Sequence, residues 1–259
     1  MMLKRLATLV ALVAVVAGAC GGSSAPALTD PKEILGKTIA ALQGVKSFHL
    51  HADLSGSFSA DLTGSGTSSA IDLAGTTADI DVDVANKLVR VTASAPSLLG
   101  VTLDVIVIGE DMYTKVSLLG PKYKKSTTGA LSSAAPGLAS KAPTDPTQVL
   151  NDVKAALDKL ATPPVKDADE KCGDQDCYKV TVTVTAADLA GAGAALGTSV
   201  TGSGTVDVWV RKNDLVPAKA VATLNGGDQG SLSFTLAVSN VNGAVTIQAP
   251  PADQIDTSP

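Results

Sequence analysis

Aromatic side chains are nearly missing from this chain: one Trp, three Tyr and three Phe among 259 residues, or 3%. A core without large rings has to be filled by Ala, Val, Leu and Ile, and hydrophobic residues make up 45% of the sequence. Charge is sparse at 17% and acidic on balance, with a net charge of -5. That balance excludes a nucleic-acid partner, which selects a basic face. His49 and His51 are the only histidines. No G-x-S-x-G elbow and no H-E-x-x-H helix occurs, and no nucleophile, base and orienter assemble by spacing, so an enzyme is not expected. The glycine-rich stretch from Gly191 to Gly197 places its last glycine one position too far for a dinucleotide loop, among strands that read as antiparallel. No cofactor is expected.

A run of spanning length is also absent. The apolar stretch from Leu6 to Ala19, interrupted by Thr8, is shorter than the ~18 to 20 residues that cross a bilayer. Lys4 and Arg5 precede it, and Gly18-Ala19-Cys20 follows, so residues 1–19 have the layout of an export signal. A cysteine directly after small residues resembles the lipobox of bacterial lipoproteins, in which it is acylated, with a palmitate-class chain, and becomes the new N-terminus. Ala17 stands where leucine is usual there. Lipidation of Cys20 is expected; the alternative is ordinary cleavage that leaves a stray thiol. Residues 20–29 are small and polar and predict a flexible tether.

The mature chain is expected to be one domain over residues 30–250, with a disordered tail over 251–259. Asp30-Pro31-Lys32-Glu33 has the spacing of a capped helix start, and Ile34, Leu35, Thr38, Ile39 and Leu42 share one face up to Gly44. A second helix follows Asp145-Pro146, with Val149, Leu150, Val153, Leu157 and Leu160 on one stripe. Elsewhere the period is two. Phe48, Leu50, Ala52 and Leu54 alternate with His49, His51 and Asp53; Ile80, Val82 and Val84 alternate with Asp79, Asp81 and Asp83. Further strands run through Leu88–Thr92, Met112–Val116, Tyr178–Val184, Val206–Val210, Ala218–Leu224 and Leu232–Val238, with a last short one at Val245 and Ile247. The nearly continuous run Val101–Ile108 predicts a strand covered on both faces. Residues 126–144 predict a loop, and 186–197 a small-residue helix. One-sided helices among antiparallel strands give an α+β class, with regular hairpins favouring a curved or barrel-like sheet.

Four features could carry chemistry. Cys172 and Cys177, four residues apart in an exported chain, predict a disulfide closing a short loop; redox work favours C-x-x-C, and zinc needs more ligands. His49 and His51 share a strand face with Ser47, Asp53 and Ser55, which predicts a wet face rather than a metal or base site. Asp79, Asp81 and Asp83 likewise predict a solvated face, since calcium favours a glycine-containing loop. Lys122, Lys124 and Lys125 around Tyr123 suit either anionic headgroups or a plain surface loop.

Four strings in order carry a resemblance: Val45-Lys46-Ser47-Phe48-His49-Leu50, Leu103–Tyr113, Asp145-Pro146-Thr147-Gln148-Val149-Leu150, and Val206-Asp207-Val208-Trp209-Val210. Together, behind the lipobox, they are similar to the LppX/LprAFG lipoproteins of mycobacteria and relatives, across essentially the whole mature chain. The resemblance implies a half-barrel sheet curved around a few helices, with an apolar cavity between them that holds acyl chains. It implies carriage of envelope lipids or glycolipids between membrane and wall, outside the cytoplasmic membrane, with an envelope export transporter as a candidate partner. The cavity lining would come from Val89 or Val91, Val105 and Val107 on strands and Val149, Val153 and Leu157 on the second helix. Few aromatics leave volume between sheet and helices; the competing arrangement packs the helices down, closes the core, and suits an adhesin, scaffold or accessory subunit. The Cys172/Cys177 pair and the loop at 126–144 lie outside the resemblance.

Overall fold

The computed structural model describes residues 27–60, 69–127, 146–188 and 202–256, with the side chains of residues 60 and 146–149 left out. Cys20, the signal segment and most of the 126–144 loop therefore lie outside the described residues, as do residues 189–201, which hold most of the expected 186–197 helix. Only Ala186–Asp188 of that helix are described, and they are helical.

Helix α1 is Pro31–Leu42. Asp30 caps it by accepting a hydrogen bond from the Lys32 backbone N–H at 2.8 Å, and Pro31 occupies the first turn. Glu33 does not complete a capping box; it pairs with Lys37 one turn on at 2.9 Å. Ile34, Leu35, Thr38 and Ile39 form the buried stripe. Helix α2 is Pro146–Asp158.

The strands are β1 (Ser47–Ala60), β2 (Ser69–Asp72), β3 (Thr76–Asp83), β4 (Leu88–Ala95), β5 (Val101–Ile108), β6 (Asp111–Val116), β7 (Tyr123–Thr127), β8 (Val165–Lys166), β9 (Glu170–Cys172), β10 (Gln175–Val184), β11 (Ser203–Arg211), β12 (Pro217–Asn225), β13 (Gly230–Ser239) and β14 (Ile255–Asp256). They make one curved, unclosed sheet in the order β14-β7-β6-β5-β4-β3-β1-β13-β12-β11-β10-β8, with β2 added to β1 and β9 to β10. Each end of that order is a strand of two residues, too short to template pairing with another chain. Strand β1 is the hinge of the order. It pairs with β3 up to Leu54 and with β2 from Ser57, and the change falls at Gly56, which takes φ +102°. A Cβ there would sit 2.2 Å from the Ser231 carbonyl oxygen, so only glycine fits.

Two expectations are corrected at the C-terminus. Residues 251–256, expected in a disordered tail, form a short 3₁₀ turn (Ala252–Gln254) and then β14, which pairs parallel to β7 and makes the sheet mixed. Val245 and Ile247 belong to no strand. Instead the chain turns at Asn240–Gly243, pinned to the start of β1 by Asn242 N–H to the Ser47 carbonyl (2.8 Å) and Ser47 Oγ to the Gly243 carbonyl (2.6 Å). It then crosses the sheet as an extended strap.

Cross-strand partners share a face, so the register sorts every side chain. The strap covers the outer face: Ile247 packs with Ile106, Tyr113 and Tyr123, and Leu88, Ile108, Val245 and Ile255 surround them. Beside this cluster Asp104 Oδ2 accepts from the Tyr123 hydroxyl at 2.6 Å and from Arg90 at 3.2 Å, while its Oδ1 is buried without a partner among the described residues. Burial, with help from the Asp104 carboxylate, pushes the Tyr123 phenol up to about 12. Further along the outer face, beyond the strap, His49 Nδ1 meets Asp81 at 2.8 Å and His51 Nδ1 meets Asp79 at 2.6 Å. The wet face of His49, Asp79 and Asp81 is thus a cross-strand His–Asp ladder. No group of three or more His, Cys, Asp or Glu side chains among the described residues is arranged to hold a metal.

Three outcomes follow from this framework. Cys172 and Cys177 form a disulfide across the β9–β10 hairpin, with Cα atoms 5.9 Å apart. Closing so short a loop is worth about 2 kcal/mol, so Cys172→Ser with Cys177→Ser lowers stability in urea titration by about that amount. Tyr123→Phe strips Asp104 of one of two donors and costs about 1 to 3 kcal/mol in the same assay. The His51 pKa is raised above its ordinary 6.5, chiefly by the hydrogen bond to Asp79. A raised pKa means that protonated His51 stabilises the fold: its contribution is complete below the unfolded value and is lost as pH rises through the higher folded value. Asp53, 3.4 Å from His51 Nε2, adds to the rise, so stability measured from about pH 5.5 to about pH 8 contains a decrease that Asp79→Asn reduces.

Candidate functional site

The inner face of the sheet is apolar across ten strands. On it lie Leu50, Ala52 and Leu54 of β1, Ile80 and Val82 of β3, Leu236 and Val238 of β13, and the valines of β10 and β11. Among the described residues the helices seal one part of this face. Ile34 and Leu35 of α1 are packed onto Tyr178, Val180 and Val182 of β10 and Val210 of β11, joined by Leu157 and Leu160 from the end of α2. Ile34, Val180 and Val210 have no solvent exposure.

Toward the other half of the sheet the same face is less covered. Val89 pairs with Val107 and Val91 with Val105, so the four strand residues expected to line a cavity form one inward patch. All four are only half-buried, as are Ile80, Val82, Leu103, Phe234 and Leu236 around them. In a sheet this wide, with helices pressed down along its whole inner face, strands in the middle of the order would be fully buried. On β5, Ile106 is buried under the strap, while Val105 and Val107 are half-buried on the inner side.

The helix residues of the expected lining divide. Leu157 sits in the sealed cluster against β10 and β11, and Val153 is 45% exposed. The Val149 side chain is outside the described set. Of the helix members, Leu157 alone is seen against the inner face, and it meets β10 and β11, well apart in the order from the β4 and β5 valines.

At the β6–β7 end of this face is a pocket of about 450 Å³, lined by Thr114, Val116, Leu119, Gly120, Pro121, Lys122, Lys124 and Asp256. Lys122 and Lys124 stand at its rim, two of the three lysines singled out from the sequence. The third, Lys125, is on the outer face, paired with Asp111 at 2.9 Å, and that bond chiefly raises its pKa.

The N-terminal tether is shorter than expected. The Leu28 backbone N–H donates to the Tyr178 hydroxyl at 3.1 Å and the Leu28 side chain packs on the sealed cluster, so Leu28 is part of the folded domain. An apolar side chain beside a half-covered apolar face buries itself. Two basic groups flank the same ring: Lys166 and Lys212 lie 5.7 and 5.1 Å from the Tyr178 centroid, and both reach Asp169 at 2.6 Å. On the outer face Lys179 and Lys219 flank Trp209 at 5.1 and 5.0 Å, with the indole N–H on Glu170. Neither arrangement was visible without the register, which alone aligns Lys179, Trp209 and Lys219 across three strands.

No family model and no curated protein matches the sequence. Solved structures do match. Lipoprotein LppX of Mycobacterium tuberculosis superposes with a TM-score of 0.53 at 18% identity, over 84% of this chain and 98% of that one. LprF from Mycobacterium bovis superposes with a TM-score of 0.51 at 20% identity, over 88% and 99%. The resemblance carried by the four strings is matched at the level of architecture: the chain has the fold of the mycobacterial lipoproteins LppX and LprF.

Proposed function

We propose that this chain is an exported, lipid-anchored envelope protein that holds acyl chains of lipids or glycolipids against the inner face of its sheet and carries them between membrane and wall. One observation carries the reading: an apolar face, central in the sheet, is left half-buried around Val89, Val91, Val105 and Val107 although helices seal the same face at β10 and β11. Acyl chains on such a face gain roughly 0.8 kcal/mol per methylene removed from water. The fold shared with two lipoproteins supports the reading, as does the lipobox-like Cys20. Among the described residues no helix is long and apolar enough to cross a membrane, and in this reading Cys20 provides the attachment. The reading requires no bond to be made or broken, and an envelope export transporter is the candidate that loads or unloads the cargo.

The second reading, an adhesin, scaffold or accessory subunit with a closed core, predicts an exposed apolar patch. Leu98, Leu99, Leu118 and Leu119 are such a patch, so the two readings have to be separated on the inner face itself.

Native mass spectrometry of gently purified protein is expected to show co-purifying lipid or uptake of added lipid; finding neither overturns the proposal. Val105→Trp separates hollow from closed. In a hollow face the indole enters free space, leaving stability within about 1 kcal/mol of the parent and reducing lipid uptake; in a closed core it overpacks and costs about 1 to 3 kcal/mol.

A further inference from the structure

Two turns at one end of the sheet carry large apolar side chains into solvent. Leu98 and Leu99 form the tip between β4 and β5, at 39% and 88% exposure; Leu118 and Leu119 lie between β6 and β7, at 61% and 72%. The register puts both turns at the same end, because Ala95 faces Val101 and Leu103 faces Val116. A hydrogen bond from the Thr102 N–H to Ser117 Oγ (3.0 Å) joins them, and Ser97 Oγ ties the first turn to the Asp72 carbonyl at 2.9 Å. The tips are thus held by polar bonds while the leucines point away. Leu99 also takes φ +59°, a left-handed conformation that bulky residues rarely adopt. Nothing within the described fold uses its side chain, and a polar residue or glycine would serve the turn better.

We propose that this leucine-tipped end is a bilayer-docking surface, with Leu98, Leu99, Leu118 and Leu119 entering the interface and Lys122 and Lys124 facing anionic headgroups. Apolar tips backed by lysines are complementary to a membrane surface, whose polar layer is anionic and whose interior is apolar. The surface is continuous with the pocket that Leu119, Lys122 and Lys124 line, and through Thr114 and Val116 with the inner face. The choice of a bilayer over a protein partner rests on the lipid-binding reading, because cargo for that face resides in bilayers. The N-terminus does not oppose it: from Cys20 to Leu28 the chain reaches at most about 28 Å, more than the roughly 20 Å that β10 covers from Tyr178 to Val184.

The test uses the full chain in vesicles of equal parts phosphatidylglycerol and phosphatidylcholine carrying brominated acyl chains. Leu99→Trp is expected to show blue-shifted emission quenched by bromine, while Glu110→Trp, in an exposed turn at the opposite end, stays water-like. Equal, water-like emission at both positions overturns the proposal. Replacing all four leucines with Ser is expected to slow lipid extraction from vesicles roughly tenfold while leaving uptake of detergent-dispersed lipid unchanged. Unchanged extraction overturns the proposal, as does self-association of the parent that the Ser variant abolishes without any vesicle docking. Absence of lipid uptake in every format removes the carrier reading; the emission at position 99 still decides the docking.

Discussion

The strict alternation of side chains across one continuous sheet is the constraint on which the rest depends. With a period of two, each strand commits half its residues to each face, and fourteen strands multiply that commitment into two large surfaces that must be dealt with separately. The outer surface carries polar ladders where it is bare, as with the His–Asp pairs, and its cluster of Ile106, Tyr113 and Tyr123 lies under the C-terminal strap. The inner surface is apolar nearly throughout, and among the described residues it is sealed where α1 and Leu157 and Leu160 reach it. The asymmetry between a finished outer face and an unfinished inner one is what makes the molecule a candidate container.

The strap and the disulfide have complementary places in this scheme. The strap runs from the end of β13 past the start of β1 to the edge beyond β7, so it ties the middle of the sheet to one margin. The disulfide stiffens the hairpin at the other margin, where β8 and β9 share one side of β10. An open sheet with a half-covered concave face lacks the core that would normally hold its edges. Local fastening at both edges holds margins that the central packing does not reach.

Much of the site was legible from single strands, and the part that was not depended on partners. Val89 and Val91 share a face by alternation, but the continuous apolar run around Val105 and Val107 does not say which face is which; the pairing of Val89 with Val107 and Val91 with Val105 puts all four on one side. Val153 and Leu157 follow from helical spacing, but a stripe does not say which surface it meets; Leu157 joined the sealed cluster at β10 instead of the β4–β5 patch. Val245 and Ile247 look like a strand because alternation is all a short segment offers. Their role as a strap depends on the turn at Asn240–Gly243 finding Ser47 almost two hundred residues earlier in the chain. The same reason hid Leu28, whose role comes from Tyr178, 150 residues away.

What the sequence alone determined is local: a basic and apolar start ending at Cys20, a helix capped by Asp30 and a second begun at Pro146, strands of period two, tight turns, and a cysteine pair close enough to close a loop. Those features rest on neighbours within a few residues, where sterics and hydrogen bonding decide. Only the tertiary structure decided which face each strand shows, where the helices stop covering the inner surface, and which turns fall together at one end. Those are questions of register and of long-range packing, in which a side chain's role is set by residues that the chain brings back from far away.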